Sequence, residues 1–147
     1  MIEKLIEQVY AELGSGYSER VYHNAMEVLL RKHNIPYESE RIVPIMFQGH
    51  TIGNLRADLI INNDTVVELK AVKTLNDGFR QQALNYLHLT GLKRAILVNF
   101  PQPLAPQCEI DHLEVDRALA GSVYLDLPPA STSQDPQDPF PDNLLHS

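Results

Sequence analysis

The stretch Asn54–Val72, NLRADLIINNDTVVELKAV, decides how the chain is read. An apolar run carrying Asp58 leads into Asn62, Asn63 and Asp64, and a second apolar run carries Glu68 and Lys70 two residues apart. Both runs read as strands, and side chains alternate along a strand, so Glu68 and Lys70 share a face. Opposed residues in an antiparallel hairpin have a constant sum of numbers. A three-residue loop, Asn62 to Asp64, therefore pairs Ile61 with Thr65 and sets Asp58 opposite Glu68. Asn and Asp suit that loop because they tolerate left-handed backbone angles. A two-residue loop would send the two acids to opposite faces.

Two carboxylates so close repel each other, and apolar surroundings make this worse. A divalent cation removes the conflict. Oxygen ligands of this kind suit Mg²⁺ or Mn²⁺, with water and substrate phosphate completing the shell. Lys70, one pleat further on, could orient or deprotonate a water, or neutralise charge building on phosphorus. That chemistry fits metal-assisted phosphodiester hydrolysis. The plainer reading is a solvated sheet face, where Glu-x-Lys pairs are common. Against it, Glu68 and Lys70 are the only charges between Thr65 and Val72.

On the N-terminal side, Ile2, Leu5, Ile6, Val9 and Leu13 have helical spacing, ended by Gly14 and Gly16. Ser18 is a candidate N-cap for a second helix through ERVYHNAMEVLLRKHN, closed off by Pro36. ESERIVPIMF reads as a strand whose Pro44 implies an edge position or a bulge, and Gln48-Gly49 is a hairpin turn. On the C-terminal side a helix runs from Asn76 or Asp77 to Gly91. RAILVNF then reads as a central strand covered on both faces. The order implies an α/β fold with a mixed sheet. CEIDHLEV is a candidate further strand, and DRALAGSVYLDL is open between helix and strand. One domain is expected over residues 1–127. Residues 128–147, rich in Pro, Asp, Ser and Gln, read as a disordered tail.

A chain of 147 residues suits one domain with a real core. No apolar run approaches a membrane span, and the N-terminus lacks the apolar block of a signal peptide. Cys108 is the single cysteine, which excludes an intrachain disulfide or a cysteine zinc cluster. The cytoplasm is the expected location. Net charge is −7, but no Lys or Arg follows Arg117, while Asp126, Asp135, Asp138 and Asp142 do. The global field neither favours nor forbids a polyanion.

The RAD and ELK motifs, with nine residues between Asp58 and Glu68, resemble the D…(D/E)xK signature of the PD-(D/E)XK nuclease superfamily. The usual Pro before the Asp is Ala57 here. The chain is similar in more detail to one branch, the GxxExxY family. GSGYSERVY supplies Gly16, Glu19 and Tyr22, and FQGHTIGNLRADLII, VVELKAV, QQALNYLHLTGL and AILVNF resemble the later blocks in order. The resemblance runs from Leu5 to Phe100. It implies a restriction-endonuclease-like fold, a mixed sheet of about four strands flanked by helices. It also implies a Mg²⁺- or Mn²⁺-dependent nuclease whose partner is nucleic acid, with DNA expected. Asp58 and Glu68 would be metal ligands, joined by the Leu69 carbonyl and by Glu19 directly or through water. Lys70 would be the base or electrostatic partner, and Gln82 would contact water or substrate.

From the residues themselves, Glu19 lies in a first helical turn, where the dipole favours an anion. Gln82 and Tyr86 share a helical face. Tyr22 and Tyr86 read first as core residues with a hydroxyl at the rim, and Tyr86 second as a substrate contact. Arg56 is a candidate for phosphate contact, and Lys73 and Arg80 are weaker ones. His23 reads as a helix-surface residue, and His50 and His88 have no catalytic role. The competing class is a catalytically inactive module that binds nucleic acid or a protein. The acidic balance leaves room for a homodimer, or for a partner protein that supplies DNA affinity.

Overall fold

The computed structural model describes residues 1–101, 103 and 108–115. The expectations for DRALAGSVYLDL and for the tail from Pro128 lie outside the described residues.

Two helices open the chain, α1 (Ile2–Leu13) and α2 (Glu19–Lys32), each with an apolar stripe at helical spacing. Ser18 caps α2, its hydroxyl accepting the Val21 N–H at 3.4 Å. Strands β1 (Tyr37–Phe47), β2 (His50–Ile61) and β3 (Thr65–Lys70) follow. Helix α3 (Asp77–Thr90) is capped by the Asn76 side chain and ends at Gly91, whose φ of 81° is left-handed. β4 (Arg94–Asn99) and β5 (Glu109–Glu114) complete the described elements. The sheet runs in the order β1-β2-β3-β4-β5, and only β3 and β4 are parallel. Five strands form it rather than about four, because CEIDHLEV pairs antiparallel with β4 and covers its outer edge.

Helices α1 and α2 cover one face, where Leu5, Ile6, Val9, Tyr22, Met26 and Leu30 meet Leu59, Val67, Leu69 and Val98. α3 covers the other, where Ala83, Tyr86 and Leu87 meet Ala57, Ile60, Val66 and Ala95. β4 is thus apolar on both sides, as its unbroken hydrophobic run requires. No helix among the described residues is long and apolar enough to cross a membrane.

β1 lies on the edge, which accommodates Pro44, and its register with β2 shifts between Ile45 and Met46. Gln48 and Gly49 both take positive φ (52° and 82°), the turn that matches strand twist. β1 and β2 pair from Tyr37↔Ile61 out to Phe47↔His50, whereas β3 pairs with β2 only from Ile61 back to Leu59. The outer hairpin therefore leaves the sheet as a two-stranded ribbon.

Candidate active site

The loop Asn62–Asp64 sets the register at the base of the site. Asn62 and Asn63 each have φ of 55°, and Ile61 pairs with Thr65, Ile60 with Val66 and Leu59 with Val67. The next pair in this register would be Asp58 opposite Glu68, and there the pairing stops. Instead the Asp58 carboxylate (Oδ2) accepts the Leu69 N–H at 2.7 Å. A side chain has replaced a rung of the ladder, and the two strands part where the acids begin.

β2 also bends at this level. Glu40 on β1 has a φ of 58° and is skipped in a register that goes from Ser39↔Leu59 to Arg41↔Ala57. Ala57 packs with the α3 face while Leu59 packs with the α1–α2 face, although strict alternation would keep them together. Asp58 sits at that break and its carboxylate turns towards β3.

Glu68 follows Val66 on the α3 face. Burial pushes its pKa well above the ordinary carboxylate value of 4.5, the Asp58 charge adds to this, and Lys70 opposes it. The Asp58 side chain also raises it as a hydrogen-bonding neighbour, which sets the two acids close together at the end of β3. Two acids this close in a buried setting disfavour the doubly charged state. Lys70 lies on the same strand face, its Nζ 4.6 Å from the centre of the Phe79 ring on α3. Strand geometry turns the Leu69 carbonyl to the same side as its N–H, towards Asp58. The neighbouring Lys70 carbonyl faces the other way, accepting the Phe100 N–H at 2.9 Å.

Glu19 reaches the end of β3 from the opposite helical layer, its Oε2 accepting the Ala71 N–H at 3.4 Å. Its position depends on the loop before α2. There the Tyr22 hydroxyl donates to the Gly14 carbonyl at 2.6 Å and accepts the Tyr17 N–H at 3.3 Å. The buried Tyr22 ring stacks on Phe100 with 4.1 Å between centroids. Gly16 within this loop has a φ of 103°, a conformation that a side chain would strain. Glu19 nevertheless remains exposed. Among the described residues, no group of three His, Cys, Asp or Glu side chains is close enough to hold a metal.

Gln82 is exposed on α3, on the helical stripe that includes Phe79 and Tyr86, with no protein partner among the described residues. Tyr86 is buried, its hydroxyl donating to the Arg41 carbonyl at 3.3 Å, and its pKa is raised mainly by burial and also by the nearby Glu68 charge. It belongs to the wall of the site. The Arg56 guanidinium lies 3.7 Å from the Asp58 carboxylate and is half exposed at the mouth. Arg80 is spent on Asp77 and Asp111, which removes it as a phosphate contact. His23 is not a surface residue. It is buried and bonds to Ser39 at 2.9 Å and Glu27 at 2.7 Å, because β1 packs over that turn of α2.

Asn99 was not among the sequence candidates, yet it organises the segment behind Lys70. Its fully buried amide accepts the Val72 N–H at 2.8 Å and donates to the Val72 carbonyl at 2.9 Å. It also donates to Glu109 at 2.8 Å, and Glu109 accepts the Leu75 N–H and the Thr74 hydroxyl, both at 3.2 Å. The signal was a polar residue inside the apolar run AILVNF.

Residues 1–112 match the family model of the PD-(D/E)XK nuclease superfamily. The chain belongs to that superfamily. Its solved relatives share the fold of this PD-(D/E)XK domain at low identity. SSO0001 is 24% identical with a TM-score of 0.52, covering 72% of this chain and 54% of its own, so the domain spans about half of that protein. The alkaline exonuclease LHK-Exo from Laribacter hongkongensis is 12% identical, with a TM-score of 0.51 over 84% of this chain and 73% of its own. Its complex with dAMP matches with a TM-score of 0.52, also at 12% identity, over 84% and 72%. No curated protein matches the chain. PD-(D/E)XK nucleases generally use divalent metal ions. The Asp58 and Glu68 carboxyls fit such an ion, since they are oxygen donors whose charges disfavour each other without one.

Proposed function

We propose that this PD-(D/E)XK domain is a nuclease that hydrolyses phosphodiester bonds, with DNA as substrate and Mg²⁺ or Mn²⁺ as the ion. We assign it to the GxxExxY branch on Gly16, Glu19 and Tyr22. The observation that carries the reading is the register that brings Asp58 level with Glu68, with Asp58 accepting the Leu69 N–H at 2.7 Å on the strand that bears Lys70. In this reading Asp58, Glu68 and the Leu69 carbonyl would hold the ion, and Glu19 would reach it directly or through water. The ion supplies charge neutralisation and a nucleophilic water. Lys70, steadied over Phe79, neutralises the charge that develops on the attacked phosphate or takes the proton of the attacking water. Gln82 orients water or substrate beside it, and Arg56 holds a neighbouring phosphate.

The second reading, an inactive module that binds nucleic acid or protein, is favoured by the exposed Glu19, which hydrogen-bonds to Ala71, and by the net charge of −7. Incubating the full chain with labelled DNA and RNA, single and double stranded, under Mg²⁺, Mn²⁺ and EDTA separates the two. Metal-dependent cleavage abolished by Asp58→Asn supports the enzyme. Absence of cleavage, with no thermal shift on adding Mn²⁺, supports the module.

A further inference from the structure

The ribbon formed by the outer halves of β1 and β2 concentrates surface that a free protein has no use for. Ile42, Met46, Phe47 and Ile52 are 59%, 46%, 58% and 62% exposed, all within one hairpin. An isolated two-stranded ribbon is marginal in water, so exposing its large apolar side chains has a cost that a partner would offset. The charge on the ribbon is equally unlike the rest of the chain. No Asp or Glu lies between Arg41 and Ala57, and Arg41 and Arg56 are both half exposed, in a chain of net charge −7.

We infer that this ribbon is the arm that holds the substrate strand, with Phe47 and its apolar neighbours stacking against unpaired bases and Arg56 meeting the backbone next to Asp58. The inference rests on the nuclease reading for the identity of the ligand. Pairing with a second copy through a strand edge is disfavoured, since Pro44 has no N–H to offer and the register shift at Ile45/Met46 breaks the edge. Duplex binding driven by phosphates is disfavoured too, because two arginines are far from the roughly 6–10 cationic contacts such binding uses. Stacking on an aromatic ring needs no such charge and suits a strand whose bases are exposed. The arm is continuous with the site. Its tip at His50 is eight residues along β2 from Asp58, about 26 Å at strand rise, a reach of several nucleotides.

The test measures binding of a fluorescein-labelled single-stranded oligodeoxynucleotide to the full chain in EDTA, by anisotropy. The protein has no tryptophan, so Phe47→Trp places a single reporter at the tip. Phe47→Ala should weaken binding roughly tenfold and leave its salt dependence and the melting temperature unchanged. Phe47→Trp should retain affinity and be quenched by the strand. Arg56→Ala should weaken binding and lower the salt slope by about 1. Equal affinity of wild type and Phe47→Ala, or tighter binding of the matching duplex than of the single strand, overturns the inference. So does a Phe47→Ala variant that changes the sedimentation of the free protein and not its strand affinity, because a second copy would then cover the ribbon. The nuclease reading fails separately. A chain that cleaves nothing under any metal, while Phe47→Ala still loses the strand, keeps the arm and loses the enzyme. A chain that cleaves equally well with and without Phe47 keeps the enzyme and loses the arm.

Discussion

The carboxylate of Asp58 accepts the backbone N–H of Leu69 at 2.7 Å, and so holds apart the two strands that carry the acid pair. One oxygen does structural work while the charge of the same side chain bears on Glu68. Asp58→Asn keeps an acceptor for Leu69 and removes the repulsion with Glu68. Asp58→Ala leaves the N–H without its partner. In EDTA the Asn variant should be at least as stable as wild type, and the Ala variant less stable by about 1–3 kcal/mol. Both should lose Mn²⁺ binding. Urea denaturation gives the first comparison and calorimetric titration the second. Equal stability of the two variants would mean that the bond is not part of the fold in solution.

Glu68 makes the metal-free protein sensitive to pH. Burial and the Asp58 charge raise its folded pKa above the unfolded value near 4.5. Between those two values the folded chain binds more protons than the unfolded one, so the Glu68 contribution to stability falls as pH rises. Denaturation of wild type and Glu68→Gln in EDTA, from about pH 4 to pH 8, should show a decline in wild type that the variant lacks. Mn²⁺ affinity should run the opposite way in wild type, rising with pH as the ion displaces the proton. Parallel stability curves for the two proteins would contradict the raised pKa.

Lys70 and the acids should separate in kinetics. Lys70→Ala removes no ligand oxygen, so at pH 8 turnover should fall by roughly 10²–10⁴ while Mn²⁺ affinity changes by less than about threefold. Phe79→Leu, which removes the ring under the Lys70 ammonium, should lower kcat by a smaller factor and leave metal affinity unchanged. Loss of Mn²⁺ binding in Lys70→Ala would show that the lysine organises the acid pair instead of acting on substrate.

Asn99→Ala should cost stability, because two backbone groups of Val72 and one oxygen of Glu109 lose a buried partner. Asn99→Asp keeps the acceptor for the Val72 N–H and sets a carboxylate against Glu109, so it should be the more damaging of the two at pH 7 and recover towards pH 5. Thermal melts of both variants across that range test the order. Identical melts would place the clamp outside the cooperative fold.

Local chemistry made much of this molecule legible in the sequence. Asn62 and Asn63 tolerate the left-handed angles of a three-residue loop, and that loop sets the register from which Asp58 and Glu68 can be brought together. Asn76 and Gly91 marked both ends of α3 by their capping chemistry. Period-two alternation put Glu68 and Lys70 on one face. The bend at Asp58 was hidden because its counterpart is Glu40, on another strand, whose positive φ nothing in its neighbourhood announces. The burial of His23 is hidden for the same reason. Its Ser39 partner comes from β1, so a helical position that looks solvated by spacing is covered by tertiary packing. The reach of Glu19 to Ala71 spans 52 residues and no local pattern encodes it.

That separation has a consequence for the newly made chain. Glu19, the acid pair and the Phe79 support of Lys70 come from α2, β2, β3 and α3, and β3 is locked from its far side by a parallel partner that arrives only after a crossover helix. Such long loops close slowly and late in folding. A chain made only as far as α3 therefore holds every candidate residue of the site before β3 has its parallel partner. The arrangement of the candidate site is complete only once β4 has docked beside β3.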